Sequence, residues 1–138
     1  MLRKAVAVAL TLALLPATAS ATPSRGVTAR IITQKTVGDK DYVLREVTIA
    51  PGGSTGWHYH DGTLYAVVKK GTITRTFSDC TTTEVHHRGQ ALTEPSGADH
   101  VHIGRNLGST DMVLEVLYVL PKGSPLARDA ANPGCDFD

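Results

Sequence analysis

Four of the six histidines of this chain fall in two His-x-His pairs, His58-Tyr59-His60 and His100-Val101-His102. Residues i and i+2 of a β-strand point to the same face, so each pair sets two imidazoles side by side. Neutral imidazoles bind divalent transition metals, and three of them leave positions open for water or a substrate. If the two pairs face each other, His58 and His60 with one or both of His100 and His102 make a metal centre. His86 and His87 are adjacent, face opposite ways in a polar segment and are expected to be solvated.

Strands and turns must hold these pairs in place. The first pair follows the turn Pro51-Gly52-Gly53-Ser54-Thr55-Gly56, and the second follows a turn containing Pro95 and Gly97. Between Arg30 and Leu120 the pattern has period two, with β-branched residues and short Gly-, Pro- or Asp-bearing breaks. It predicts strands over 30–37, 42–49, 57–60, 64–70, 72–78, 83–86, 91–94, 100–106 and 112–120, with hairpin turns at 38–41, 70–71 and 108–111. Many short strands in so small a chain predict an all-β sandwich or barrel.

The ends read differently. Arg3 and Lys4, the apolar run Ala5–Leu15 and the Ala19-x-Ala21 segment predict a secretory signal over residues 1–21. The run is too short to cross a bilayer, so stable membrane insertion is not expected. Residues 22–29 read as a polar leader, 30–120 as the barrel, and 121–138, rich in Pro and Gly, as an irregular surface tail. Cutting after Ala21 leaves 138 − 21 = 117 residues, enough for one domain, with 12 basic and 13 acidic side chains. That near-neutral balance without charge runs argues against nucleic acid as a partner. Export favours pairing of the only two cysteines, so Cys80 and Cys135 are expected to form a disulfide tethering the tail.

The order Gly52, His58, His60, Gly71 and then Gly89, Pro95, Gly97, His102, Asn106 resembles the two motifs of the cupin superfamily. The second motif fits with two residues inserted before the histidine. The Trp-His-x-His and His-Val-His-x-x-Arg-Asn segments and the Pro/Gly tail ending near a cysteine are similar to those of small exported bacterial cupins. The resemblance covers about Glu46 to Leu120 and implies a single-domain jelly-roll barrel. It also singles out His102 as the third ligand, leaving His100 as an alternative or fourth ligand, and gives Asn106 a structural role satisfying loop backbone. Where the motif carries a glutamate ligand this chain has Leu64. A three-histidine site lacking that anion carries a net charge of +2 with a divalent ion rather than +1, and Glu94, just before Pro95, is the weaker candidate for a replacement carboxylate.

The function expected is therefore a secreted cupin binding a divalent metal (Zn, Fe, Mn, Ni or Cu) inside the barrel and acting on a small organic molecule. The alternative is a non-catalytic exported protein that captures a small ligand without metal, its histidines serving as hydrogen-bond donors. Trp57, Tyr65 and Tyr118 are expected to pack, and Arg105 is a weaker candidate for orienting an anionic ligand. A homodimer through sheet edges is the expected assembly.

Overall fold

The structure is a computed structural model that describes residues 20–137. The apolar stretch of the expected signal lies outside the described residues. Ten strands follow in chain order: β1 (Arg25–Val37), β2 (Lys40–Ser54), β3 (His58–Tyr59), β4 (Thr63–Lys70), β5 (Thr72–Phe77), β6 (Thr83–His87), β7 (Ala91–Glu94), β8 (His102–Arg105), β9 (Met112–Pro121) and β10 (Arg128–Asp129). One 3-10 turn, Ala98–His100, precedes β8, and no α-helix occurs among the described residues. No helix there is long and apolar enough to cross a membrane.

The strands form one antiparallel sheet that curls into a jelly-roll barrel, in the order β10-β3-β8-β2-β9-β4-β7, with β1 on β2 and β5 between β8 and β6. Alternation explains which side is the interior. In β9, Met112, Leu114, Val116, Tyr118 and Leu120 are buried, and in β4 Leu64, Ala66 and Val68 are buried while Tyr65 and Val67 face solvent. Val43, Val47 and Ile49 of β2 complete that inner face. Each is two residues from the next or a multiple of two, as a half-buried strand requires.

Several expectations about the ends of strands change, and β2 runs on through Ser54, so that Pro51 to Ser54 of the expected turn lie within the strand. β1 starts at Arg25, five residues before Arg30, and takes in much of the expected polar leader, because residues 27–29 find partners at 47–49 of β2. Polarity there reflects solvent exposure of a paired strand rather than lack of structure. β8 starts at His102 rather than His100, because the 3-10 turn takes up the inserted residues. The tail is not wholly irregular: β10 pairs with β3 through Arg128↔Tyr59 and Asp129↔His58. Cys80 and Cys135 are joined by a disulfide, 55 residues apart in sequence.

Candidate metal centre

Backbone geometry fixes the first histidine pair before its side chains do anything. Gly56 has φ +70°, and a Cβ there would lie 2.3 Å from the Thr22 carbonyl oxygen, so the chain can turn into β3 at this place only with glycine. From β3, His58 lies opposite His102 of β8, and His60 follows directly. The ring centroids stand 4.8 Å apart for His58 and His60, 4.4 Å for His58 and His102, and 5.6 Å for His60 and His102. All three residues are buried.

Each imidazole is held by its Nδ1 on a main-chain carbonyl: His58 on Gly56 at 3.0 Å, His60 on Leu126 at 2.7 Å and His102 on His100 at 2.8 Å. A carbonyl only accepts, so each neutral ring carries its hydrogen on Nδ1 and leaves Nε2 as a bare lone pair. Orientation of a ligand histidine by a main-chain oxygen behind it is the usual support of a metal site.

Glu94 completes the cluster. Its Oε2 lies 3.1 Å from His60 Nε2 and 3.3 Å from His102 Nε2. Both ring nitrogens are buried beside that carboxylate, and neither meets it in hydrogen-bond alignment. Ligand atoms of His58, His60, Glu94 and His102 lie within 4.8 Å of one another. Convergence without mutual hydrogen bonding is what a donor set arranged around a common cation requires. The residues present therefore fit a divalent ion: three nitrogens and one carboxylate oxygen suit the borderline first-row metals.

The carboxylate comes from an unexpected strand. Leu64 points inward and is buried, and in the β4–β7 pairing it lies directly opposite Glu94. Opposed residues of an antiparallel pair share a face with Cβ atoms about 5 Å apart. Glu94 is thus placed to supply, from the neighbouring strand, the carboxylate missing at position 64, and a divalent ion held by all four residues would leave the site at +1 rather than +2. Tyr65 does not fill the gap, since it is 52% exposed on the outer surface.

Arg75, which its neighbours in sequence gave no reason to single out, stands behind Glu94. This buried side chain lies 3.4 Å from Glu94 Oε1, donates to the Thr93 carbonyl at 3.0 Å and pairs with Glu84. One carboxylate oxygen therefore faces Arg75 and the other the histidines. Period two along β5 puts Arg75 on the same side as Ile73, the only hint of this position in the sequence.

Burial lowers the His58 pKa to about 3, helped by the adjacent His102 and His60, so this ring is neutral at ordinary pH. His102 moves the other way: burial opposes its charge, but the Glu94 carboxylate outweighs it and raises the pKa above 6.5. Glu94 is pulled well below the usual carboxylate range, since burial is overcome by His102 and His60. His102 is then the imidazole whose proton a metal must displace. Its affinity for zinc should weaken as pH falls through the raised His102 value, by up to about tenfold per pH unit for one proton. Calorimetry in buffers of different ionisation enthalpy should show a proton released on zinc binding, the count falling as pH rises through the His102 value. A proton count that does not change with pH would contradict this.

The second pair splits. His100 ends the 3-10 turn, its side chain 41% exposed and its Nε2 3.8 Å from Asp99. His100 and His102 do not share a strand, so the same-face rule does not apply, and His100 contributes its carbonyl rather than its ring. His86 faces Glu84 and His87 faces Thr72 Oγ1, both away from the cluster. Asn106 donates to the carbonyls of Ile49 and Thr110 and accepts from Gly108 N, holding the loop backbone. Arg105 stacks on Phe137 at 3.8 Å and donates to Thr76, and Trp57 is buried against Phe137. Tyr118 packs edge-on against His60 at 5.9 Å, and its hydroxyl accepts from Arg45 at 3.3 Å.

The cluster borders a small cavity of about 50 Å³ walled by Ile49, Leu64, Ala66, Ile73, Leu114 and Val116. A wider mouth of about 420 Å³, edged by Pro23, Ser24, Ala127 and Asp129, shares Val47, Thr55, His58, His60 and Tyr118 with it. The arrangement is a narrow apolar pocket with one polar corner, opening to a mouth of the size of a small-molecule site.

Comparison with known proteins agrees with this architecture. The family model described as "Cupin domain" matches residues 45–120. Among solved structures, the polyketide cyclase RemF from Streptomyces resistomycificus superposes with TM-score 0.63 at 22% identity, covering 90% of each chain. KdgF from a Halomonas species gives TM-score 0.55 at 16% identity over 67% of this chain and 78% of its own. A cupin superfamily protein of Desulfitobacterium hafniense gives 0.54 at 14% identity over 68% and 77%. No curated protein matches the chain.

Proposed function

This chain belongs to the cupin family, and on that premise we propose that it binds a divalent metal through His58, His60, Glu94 and His102 and acts on a small organic molecule admitted through the mouth of the barrel. One observation supports the reading: three buried imidazoles, each pinned by Nδ1 to a carbonyl, converge with the Glu94 carboxylate so that the four ligand atoms lie within 4.8 Å of one another. When bound, the ion supplies Lewis acidity or a site for O₂. The chain's own part is to hold the donors, exclude bulk water behind Leu64, Ile73 and Leu114, and present Tyr118 as a neutral hydroxyl. Burial raises the Tyr118 pKa, so the phenol keeps its proton.

Metal analysis of protein purified without a histidine tag tests the reading. About one equivalent of Zn, Fe, Mn, Ni or Cu is expected in the native protein and little in the His58→Ala/His60→Ala variant. Absence of metal from the native protein after incubation with each ion would sink it. Ligand-induced stabilisation that persists in chelator would instead favour metal-free capture of a small ligand.

The Cys80–Cys135 disulfide supports an extracytoplasmic location, where such bonds persist. The assembly that fits is a homodimer. β1 pairs only with β2 among the described residues, and it exposes Ile31, Ile32 and Val37 along a free edge. Light scattering that returns the mass of one chain would reject the dimer.

A further inference from the structure

Positions 43, 45, 47 and 49 of β2 lie on one face, and Val43, Val47 and Ile49 of that set are core residues. The fourth member is Arg45. An arginine on the inner face of a barrel is costly unless its charge is met, because a guanidinium loses hydration it must recover from a partner. Arg75 meets this condition with Glu84 and Glu94. Arg45 does not: its Nε is buried without a hydrogen-bond partner among the described residues. The nearest interaction is with Tyr118, whose hydroxyl accepts from Nη1 at 3.3 Å and whose ring lies 5.5 Å from the guanidinium carbon. Glu46, next in sequence, points to the other face and pairs with Arg30.

Arg45 and Tyr118 line the mouth that also reaches His58 and His60. In the β2–β9 register Tyr118 lies opposite Val43, so the two polar groups stand diagonally on the same inner surface. We propose that this mouth binds a small organic carboxylate, its anionic oxygens on Arg45 and the Tyr118 hydroxyl and its body directed toward His58 and His60. The planar guanidinium fork matches a carboxylate, and the tyrosine hydroxyl adds a neutral donor beside it. Val27, Val47 and Ala127 give the body an apolar wall. Asp129 lies on the exposed rim of the same mouth, where it disfavours polyanions and leaves monoanions admissible. The proposal rests on the reading of the barrel as a small-molecule site and names the class of molecule.

Calorimetry on the zinc-loaded full chain, with the monoanions benzoate and butyrate against benzamide and butyramide, tests it. The carboxylates are expected to bind about tenfold or more tightly than the amides, as for one charge-assisted hydrogen-bonded contact. Arg45→Met should remove that preference while zinc content and melting temperature stay as in the native protein, and Arg45→Lys should keep part of it. Equal binding of acids and amides, absence of binding by either acid, or acid binding unchanged in Arg45→Met would each overturn the proposal. The same series after chelation separates the two readings. If zinc is absent from the native protein but the acids still depend on Arg45, the metal reading fails and this one stands. Acids that bind only with zinc and ignore Arg45 would mean that the metal alone holds them.

Discussion

Replacing Glu94 with leucine is expected to lower zinc affinity by more than about 100-fold, and the exchange Leu64→Glu/Glu94→Leu is expected to recover most of it. Loss of groups that merely support a ligand costs about 10–100-fold in affinity, so removal of a ligand lies above that range. Recovery follows from the register: positions 64 and 94 face each other across β4 and β7, and a carboxylate from either enters the same corner. Leucine at 94 also leaves Arg75 with Glu84 and the Thr93 carbonyl alone, which will lower stability. Glu94→Gln, which keeps an oxygen for Arg75 and nearly the same volume, separates folding from coordination. It should melt close to the native protein and still bind zinc far more weakly. Competition against a chromophoric chelator reads all three variants. Native affinity in both Glu94 variants would exclude this carboxylate from the site, and failure of the exchange alone would confine the error to the claimed equivalence of the two positions.

The second large effect concerns the tail. Removing the disulfide in Cys80→Ser/Cys135→Ser is expected to cost about 2–4 kcal/mol, because the cross-link restricts the unfolded chain across a separation of 55 residues. For a domain of this size that lowers the melting temperature by something on the order of 10 °C. Part of the gain is offset in the native state. Cys80 has φ +63°, the one non-glycine residue in the left-handed region among those described, at about 1–2 kcal/mol.

That loss should reach the metal. The tail supplies the Leu126 carbonyl to His60 Nδ1, pairs Asp129 with His58, receives Trp57 as acceptor for Ala130 N at 2.8 Å, and closes Arg128 on Asp61 at 2.7 Å. With the tail untied, His60 loses its orienting acceptor for part of the time, and zinc affinity should fall about 10-fold or more. Unchanged melting and unchanged zinc binding in the serine variant would show that the remaining tail contacts suffice without the bridge.

Much of this molecule was legible in the chain itself. Period-two alternation marked β4, β7 and β9 closely because each buries one face and wets the other, so composition follows geometry residue by residue. The expected signal, by contrast, rests on composition alone. His58 and His60 were readable as partners because two residues in one extended segment share a face wherever that segment goes. His100 and His102 satisfied the same spacing but not the same condition, since the 3-10 turn ends between them.

The sequence by itself determined the β-rich barrel, the first histidine pair and the candidate disulfide, because each depends on local spacing or on residue type, and its resemblance to the cupin motifs marked the place where a carboxylate was wanting. Only the tertiary structure brought Glu94 to that place beside the histidines, set Arg75 behind it, turned the Leu126 carbonyl to His60, and faced Arg45 inward with its Nε unpartnered among the described residues. The physical reason is register. Glu94 is 30 residues beyond Leu64 in the chain, and nothing local links them until β4 and β7 pair and set the two side chains on one face.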